Sequence, residues 1–229
     1  MKDLVLRYGV FAIGLYCLSL GMVLIVASSL GTTPISSLNY VLSINTTLSL
    51  GTATFIFNMA LIAAQLLLAG RHASKKDYIE ILLQVPFSIP FAAFIDFNMA
   101  IFGHMTISGY PMAVTILLLG CLIQAIGVTL EIKPDVAMMS AEGFVKYTCR
   151  RFNLRFGTTK VKFDIILVVS AIALSLAMAG RIDGVREGTV IAALATGSIV
   201  TFLSLKIFTR SSWTRITRLL PLRQHHSGT

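Results

Sequence analysis

Long apolar runs, each near the length of a membrane-crossing helix, alternate along the chain with short polar or basic stretches. They predict spans near residues 10–29, 53–69, 79–97, 112–130, 163–179 and 188–208, because crossing the hydrocarbon core takes about 20 apolar helical residues. Two stretches between them are neither spans nor ordinary loops. Residues 30–50 are neutral and rich in Ser, Thr and Asn, and residues 131–159 hold a helical-looking centre at 134–147. The first run follows Met1-Lys2-Asp3 as a signal peptide would, but it is too long for a signal core and lacks a clear small-x-small cleavage site. It is read as the first transmembrane helix.

Composition supports the same picture. Of the 229 residues, 55% are hydrophobic and 13% charged, with a mean hydropathy of +0.82, whereas soluble domains carry about 25% charged residues. The expected class is therefore an all-α integral membrane protein: one six-span domain at 1–208 and a basic cytoplasmic tail at 209–229. The net charge of +9 is spread in short clusters between the runs, a pattern that sets membrane orientation rather than binding nucleic acid. All 19 Lys and Arg residues except Arg181 and Arg186 fall on one side of the predicted topology, which places both termini in the cytoplasm. In the tail, Trp213, Ile216, Leu219 and Leu220 alternate with Arg215 and Arg218, as in an amphipathic helix on anionic lipid or a frayed basic terminus. Cys17, Cys121 and Cys149 lie far apart without ligand spacing, so no metal, cofactor or disulfide framework is expected.

The two halves of the chain, about 7–103 and 109–208, can be laid over each other. Gly31-Thr-Thr-Pro34 after the first span matches Ile132-Lys-Pro134 after the fourth; Gly51-Thr52 and Asn58 match Gly157-Thr158 and Asp164; Ala69-Gly70-Arg71 matches Ala179-Gly180-Arg181, at offsets of 100, 106 and 110. Three spans per half make the second half enter the membrane in the opposite sense. A 3+3 inverted repeat follows, with short or re-entrant helices after spans 1 and 4, an arrangement that puts ligand sites between repeats.

Candidate site residues come from polar positions within this frame. Thr33 can cap a helix that Pro34 begins, and such a start favours an anion or polar ligand; Thr32, beside it, joins the substrate-binding set. Asp164 is a carboxylate inside a span, although Lys160 one turn earlier offers an interfacial ion pair. Asn58 occupies the matching place in the first half. Gln84 and Gln124 sit deep in spans, as helix-bridging amides or ligand contacts. Asp96 and Glu187, near span ends, could take protons or cations, or mark the interface. Pro86 and Pro90 should kink the third span, and Gly14, Gly21, Gly120, Gly127 and Gly197 should permit close helix packing. No nucleophile, phosphate loop or acid–base constellation points to an enzyme.

Leu30-Gly-Thr-Thr-Pro34, the basic Arg71-His-Ala-Ser-Lys-Lys-Asp-Tyr78 connection, Asp96 and Val185-Arg-Glu-Gly-Thr-Val190 together make the chain resemble the YczE/YyaS/YitT-like bacterial integral membrane proteins. The likeness spans about residues 7–208 through short motifs, with Arg-Glu-Gly-Thr where a Gly-rich start to the last span is usual. It implies a six-span protein of the bacterial inner membrane and brings no substrate. The leading expectation is a small-solute transporter or permease. A substrate-capture subunit working with a partner ATPase, and an accessory or assembly protein holding a partner on the basic loop 146–162, are the alternatives. Expected partners are the bilayer, a small-molecule or ion substrate and, as a homodimer, a second copy of the chain.

Overall fold

The computed structural model describes residues 2–70, 74–132 and 138–203. Pro134 and the predicted amphipathic tail lie outside the described residues, as do the first residues of the basic connection. Within them the chain is helix and turn without strand: α1 Lys2–Ala27, α2 Pro34–Asn45, α3 Leu50–Ala69, α4 Lys75–Leu82, α5 Gln84–Phe102, α6 Tyr110–Ile132, α7 Ser140–Phe152, α8 Phe156–Ala179 and α9 Glu187–Phe202. Five segments are long and apolar enough to cross a membrane, Val5–Ala27, Leu50–Ala69, Lys75–Phe102, Tyr110–Ile132 and Phe156–Ala179. The predicted sixth span appears as α9, an apolar helix of 16 residues.

Local sequence explains the departures from regular spans. The third predicted span does not simply kink at its prolines. It divides at Leu83 into α4 and α5, because the ring of Pro86 collides with the carbonyl four residues back, at Leu82, where α4 ends. Pro86 then sits in the first turn of α5, where its missing N–H does no harm, and Pro90 lies inside. Thr33 caps α2 as expected. Its hydroxyl accepts the Ser36 N–H at 3.3 Å while the Ser36 hydroxyl accepts the Thr33 N–H at 3.1 Å, and Pro34 follows in the first turn.

The most extensive helix contact joins α1 to α6, and glycine makes it possible. A Cβ on Gly21 would stand 2.5 Å from the Gln124 nitrogen, one on Gly127 2.5 Å from the Leu18 nitrogen, and one on Gly14 2.9 Å from the Glu131 nitrogen. Rising numbers on α1 meet falling numbers on α6, so the two run antiparallel with their backbones nearly touching.

The other helices pack around this pair. α5 packs on α1 and α9 on α6; α2 packs on α8 and α7 on α3; α2 also meets α3, and α7 meets α8. The starts of α2 and α7, at Pro34 and Ser140, differ by 106 residues, and those of α3 and α8, at Leu50 and Phe156, by the same 106. Gly14 and Gly120, and Gly21 and Gly127, keep that interval too. The 106-residue interval carries Pro34 to Ser140, while Pro134, paired with Pro34 by the motif, lies outside the described residues.

Replacing Gly21 with Ala should lower stability by about 1–3 kcal/mol through overpacking. Gly197→Ala, in α9 where a Cβ would meet nothing within 4 Å, should be neutral or gain up to about 1 kcal/mol. Thermal unfolding of detergent-purified variants checks the contrast, and equal losses would show that the α1–α6 contact is not tight.

Candidate functional site

The starts of α2 and α7 lie against one partly open cavity of about 90 Å³. Thr33 and Asn39 reach it from α2, Ser140 and Glu142 from α7, Thr54 and Asn58 from α3, and Gln124 and Glu131 from α6; Leu18, Met22 and Phe91 supply apolar wall. The Ser140 hydroxyl donates to Asn58 Oδ1 at 2.6 Å, fixing the start of α7 beside the middle of α3. The far end of α7 is seated on α4: Arg150 Nη1 lies 2.8 Å from Asp77 Oδ1, Lys146 pairs with Glu80, and the Tyr147 hydroxyl donates to the Asp77 carbonyl at 3.4 Å.

Two features of the cavity bear on chemistry. Its helix starts are already filled from within: the Met139 N–H before α7 donates to Glu131 Oε1 at 3.1 Å, and the capping box closes α2. Its amides are not. Asn39, 1% exposed, has no hydrogen-bond partner for Oδ1 or Nδ2 among the described residues, and Asn58 Nδ2 and Gln124 Oε1 are likewise unpaired. A buried polar group left so costs about 1–3 kcal/mol, which an occupant would remove.

The sequence-predicted residues divide accordingly. Thr33, Asn58 and Gln124 share the cavity. Thr32 instead fastens the turn before α2 to the start of α9. Its N–H donates to Thr189 Oγ1 at 3.1 Å, its hydroxyl donates to the Gly184 carbonyl at 2.9 Å, and the Gly188 N–H reaches the Leu30 carbonyl at 2.8 Å. Gly31, at φ 143°, makes that approach possible, since a Cβ there would stand 2.5 Å from Thr189 Oγ1. Gln84 exchanges two 2.8 Å hydrogen bonds with Gln65, whose Nε2 also donates to the Ser140 carbonyl at 3.1 Å. It holds α5, α3 and α7 together and has no amide group to spare.

Asp164 pairs with Lys160 at 2.8 Å and faces a separate, mostly apolar groove of about 400 Å³ between α8 and α9. Asp96 accepts the Gly51 N–H and the Ser49 hydroxyl, both at 2.7 Å, tying α5 to the start of α3. It also lines a wide, open pocket of about 520 Å³ with Tyr40 and His104. Glu187 is exposed and lies 3.4 Å from Arg186.

No curated protein and no solved structure matches this chain. The family model for DUF6198, a family of unknown function, matches residues 5–205. The chain belongs to DUF6198. This membership covers nearly all of the described bundle and assigns it no activity, and the YczE/YyaS/YitT-like motifs remain a resemblance.

In this DUF6198 protein two polar residues of the cavity escape a reading by span pattern, Asn39 and Glu131, while Gln65 lies inside the predicted 53–69 span and carries the same signal as Asn58. Glu131 ends an apolar run and reads as the first loop residue, although α6 continues through Ile132. Asn39 sits in a segment so rich in polar residues that none stands out, and the 106-residue interval, applied to Pro34, would have pointed to Ser140.

The Gln65–Gln84 pair gives a direct test. Gln84→Leu alone strands the Gln65 amide and should cost about 1–3 kcal/mol, whereas Gln65→Leu combined with Gln84→Leu should cost less than the sum of the singles. A double-mutant cycle from thermal unfolding measures this; strict additivity would mean the two amides do not act as a unit.

Proposed function

We propose that this protein carries a small solute across the membrane through the cavity between α2 and α7, its two halves acting as inverted repeats. The observation that carries the reading is the meeting of two short-helix starts at one cavity whose amides are unpaired. Half-helices that end inside the membrane at a polar site between repeats are how many secondary transporters bind their solutes.

Other features support the inverted repeat. The helix pairs exchange when α1–α5 are swapped for α6–α9, the starts keep one interval, and α1 and α6 cross antiparallel at their glycines. On this reading α2 and α7 are re-entrant, α2 leaving the cavity toward the Asp96 end of the bundle and α7 toward the Asp77 end. The excess of Lys and Arg makes the Asp77 end cytoplasmic. Access from either side then comes from movement of one half against the other, with the cavity as the fixed point.

Asn39→Leu tests the reading because function and stability should move in opposite directions. Removing an unpaired buried amide should leave the fold as stable or raise its stability by about 1–3 kcal/mol, while abolishing uptake by proteoliposomes of whichever labelled compound from a metabolite and ion panel the wild type takes up. If Asn39→Leu destabilises the protein and leaves uptake intact, the amide is structural and the cavity is not the site.

A further inference from the structure

The charge of the cavity wall narrows what it can hold. A helix start carries roughly half a positive charge, so two converging starts would by themselves attract an anion. Here both are answered by the protein: Glu131 takes the Met139 N–H, and the Thr33–Ser36 box closes α2. What remains on the wall is a pair of carboxyl groups, Glu131 and Glu142. Glu131 is 5% exposed, and among the described residues no Lys, Arg or His lines the cavity with it. Glu142, the other acid on the wall, has Lys160 at 4.0 Å, and that amine is held more closely by Asp164 at 2.8 Å. A carboxylate inside a membrane bundle ordinarily has a partner, and among the described residues Glu131 has an N–H where a cation would be expected.

The unpaired amides fit the same occupant. Gln124 Oε1 is an open acceptor, and Asn39, free at both ends, can present Oδ1 without breaking an existing bond. A carboxylate and two amide oxygens suit one positive charge, and the space of about 90 Å³ fits a small one. We infer that the cavity binds a small monovalent cation, an inorganic ion or a primary ammonium, through Glu131 with Gln124 and Asn39 as neutral oxygen donors. The inference deepens the transport reading and rests on it for the cavity's role.

The test uses the full-length protein in detergent, with thermal stability followed against sodium, potassium, ammonium and methylammonium chlorides. N-methylglucamine chloride, too bulky for the cavity, holds ionic strength constant, and N-methylglucamine nitrate and acetate form the anion arm. At least one small cation should raise the melting temperature in a saturable way while the anions do not, and the responding cation tells an inorganic ion from an ammonium. Glu131→Gln keeps an acceptor for the Met139 N–H and should weaken the cation response by about 30-fold or more, as when one partner of a buried charge pair is lost. Glu187→Gln, on the exposed start of α9, should leave it unchanged.

Should Glu131→Gln fail to fold, the wild type supplies the readout. The responding cation should protect Glu131 from an apolar carbodiimide, measured by mass spectrometry of its peptide. A response to anions alone, no response to any cation, or an undiminished response in Glu131→Gln overturns the inference. Proteoliposome uptake separates the two readings. Cation binding without flux leaves this inference standing and removes transport, whereas flux of an anion or neutral solute through an Asn39-dependent site does the reverse.

Discussion

The close approach of α1 and α6 is the contact on which the rest of the bundle depends. In lipid there is little hydrophobic force between helices, so association relies on how near the backbones can come and how well the surfaces fit. Gly14, Gly21, Gly120 and Gly127 remove the side chains that would hold these helices apart. One consequence is mechanical, since α5 and α9 are each positioned against a member of the pair. The other is chemical: the same two helices present Leu18, Met22, Gln124 and Glu131 to one cavity, whose width follows from their separation.

A second constraint is the need to satisfy helix ends away from water. α2 and α7 are short, of 12 and 13 residues, and their sequences supply partners for their ends. At the far end of α2, the Asn45 amide donates to the Val41 carbonyl at 2.9 Å and the Thr46 hydroxyl to the Leu42 carbonyl at 2.7 Å. α7 stops at Asn153 in a left-handed conformation, which Asn tolerates better than most residues. The Ser, Thr and Asn content of residues 30–50, so odd beside the apolar spans, is largely used in this way. Asn39 is the exception. Its amide serves no helix end, and for that reason it points to an occupant.

The apolar runs made the full-length spans legible, and Thr33 and Pro34 made the start of α2 legible, because these signals are local in sequence. The division of the third span was harder to see: two prolines lie close together, and only the register of Pro86 against Leu82 decides where the helix stops. The site was legible in part. Asn58 and Gln124 stood out as polar residues in apolar surroundings, yet Gln84, identical by that criterion, turned out to be paired with Gln65 across α3 and α5. Whether a buried amide has a partner is a property of tertiary packing, and span pattern carries no trace of it.

Positions 106 residues apart carry different chemistry in this chain. At the 106-residue interval, Ser140 stands where Pro34 does and Asn58 where Asp164 does. Ser140 has a hydroxyl and gives it to Asn58. Pro34, which lines the groove with Asp164, has neither a hydroxyl nor an N–H to give, and Asp164 takes the Lys160 amine instead. Of the two acids of the cavity, Glu131 lies 106 residues beyond Ile25 of α1, which is fully buried and apolar. The charge chemistry of the site therefore rests on Glu131 of α6 and Glu142 of α7, while α2 and α3 supply neutral hydrogen-bonding groups.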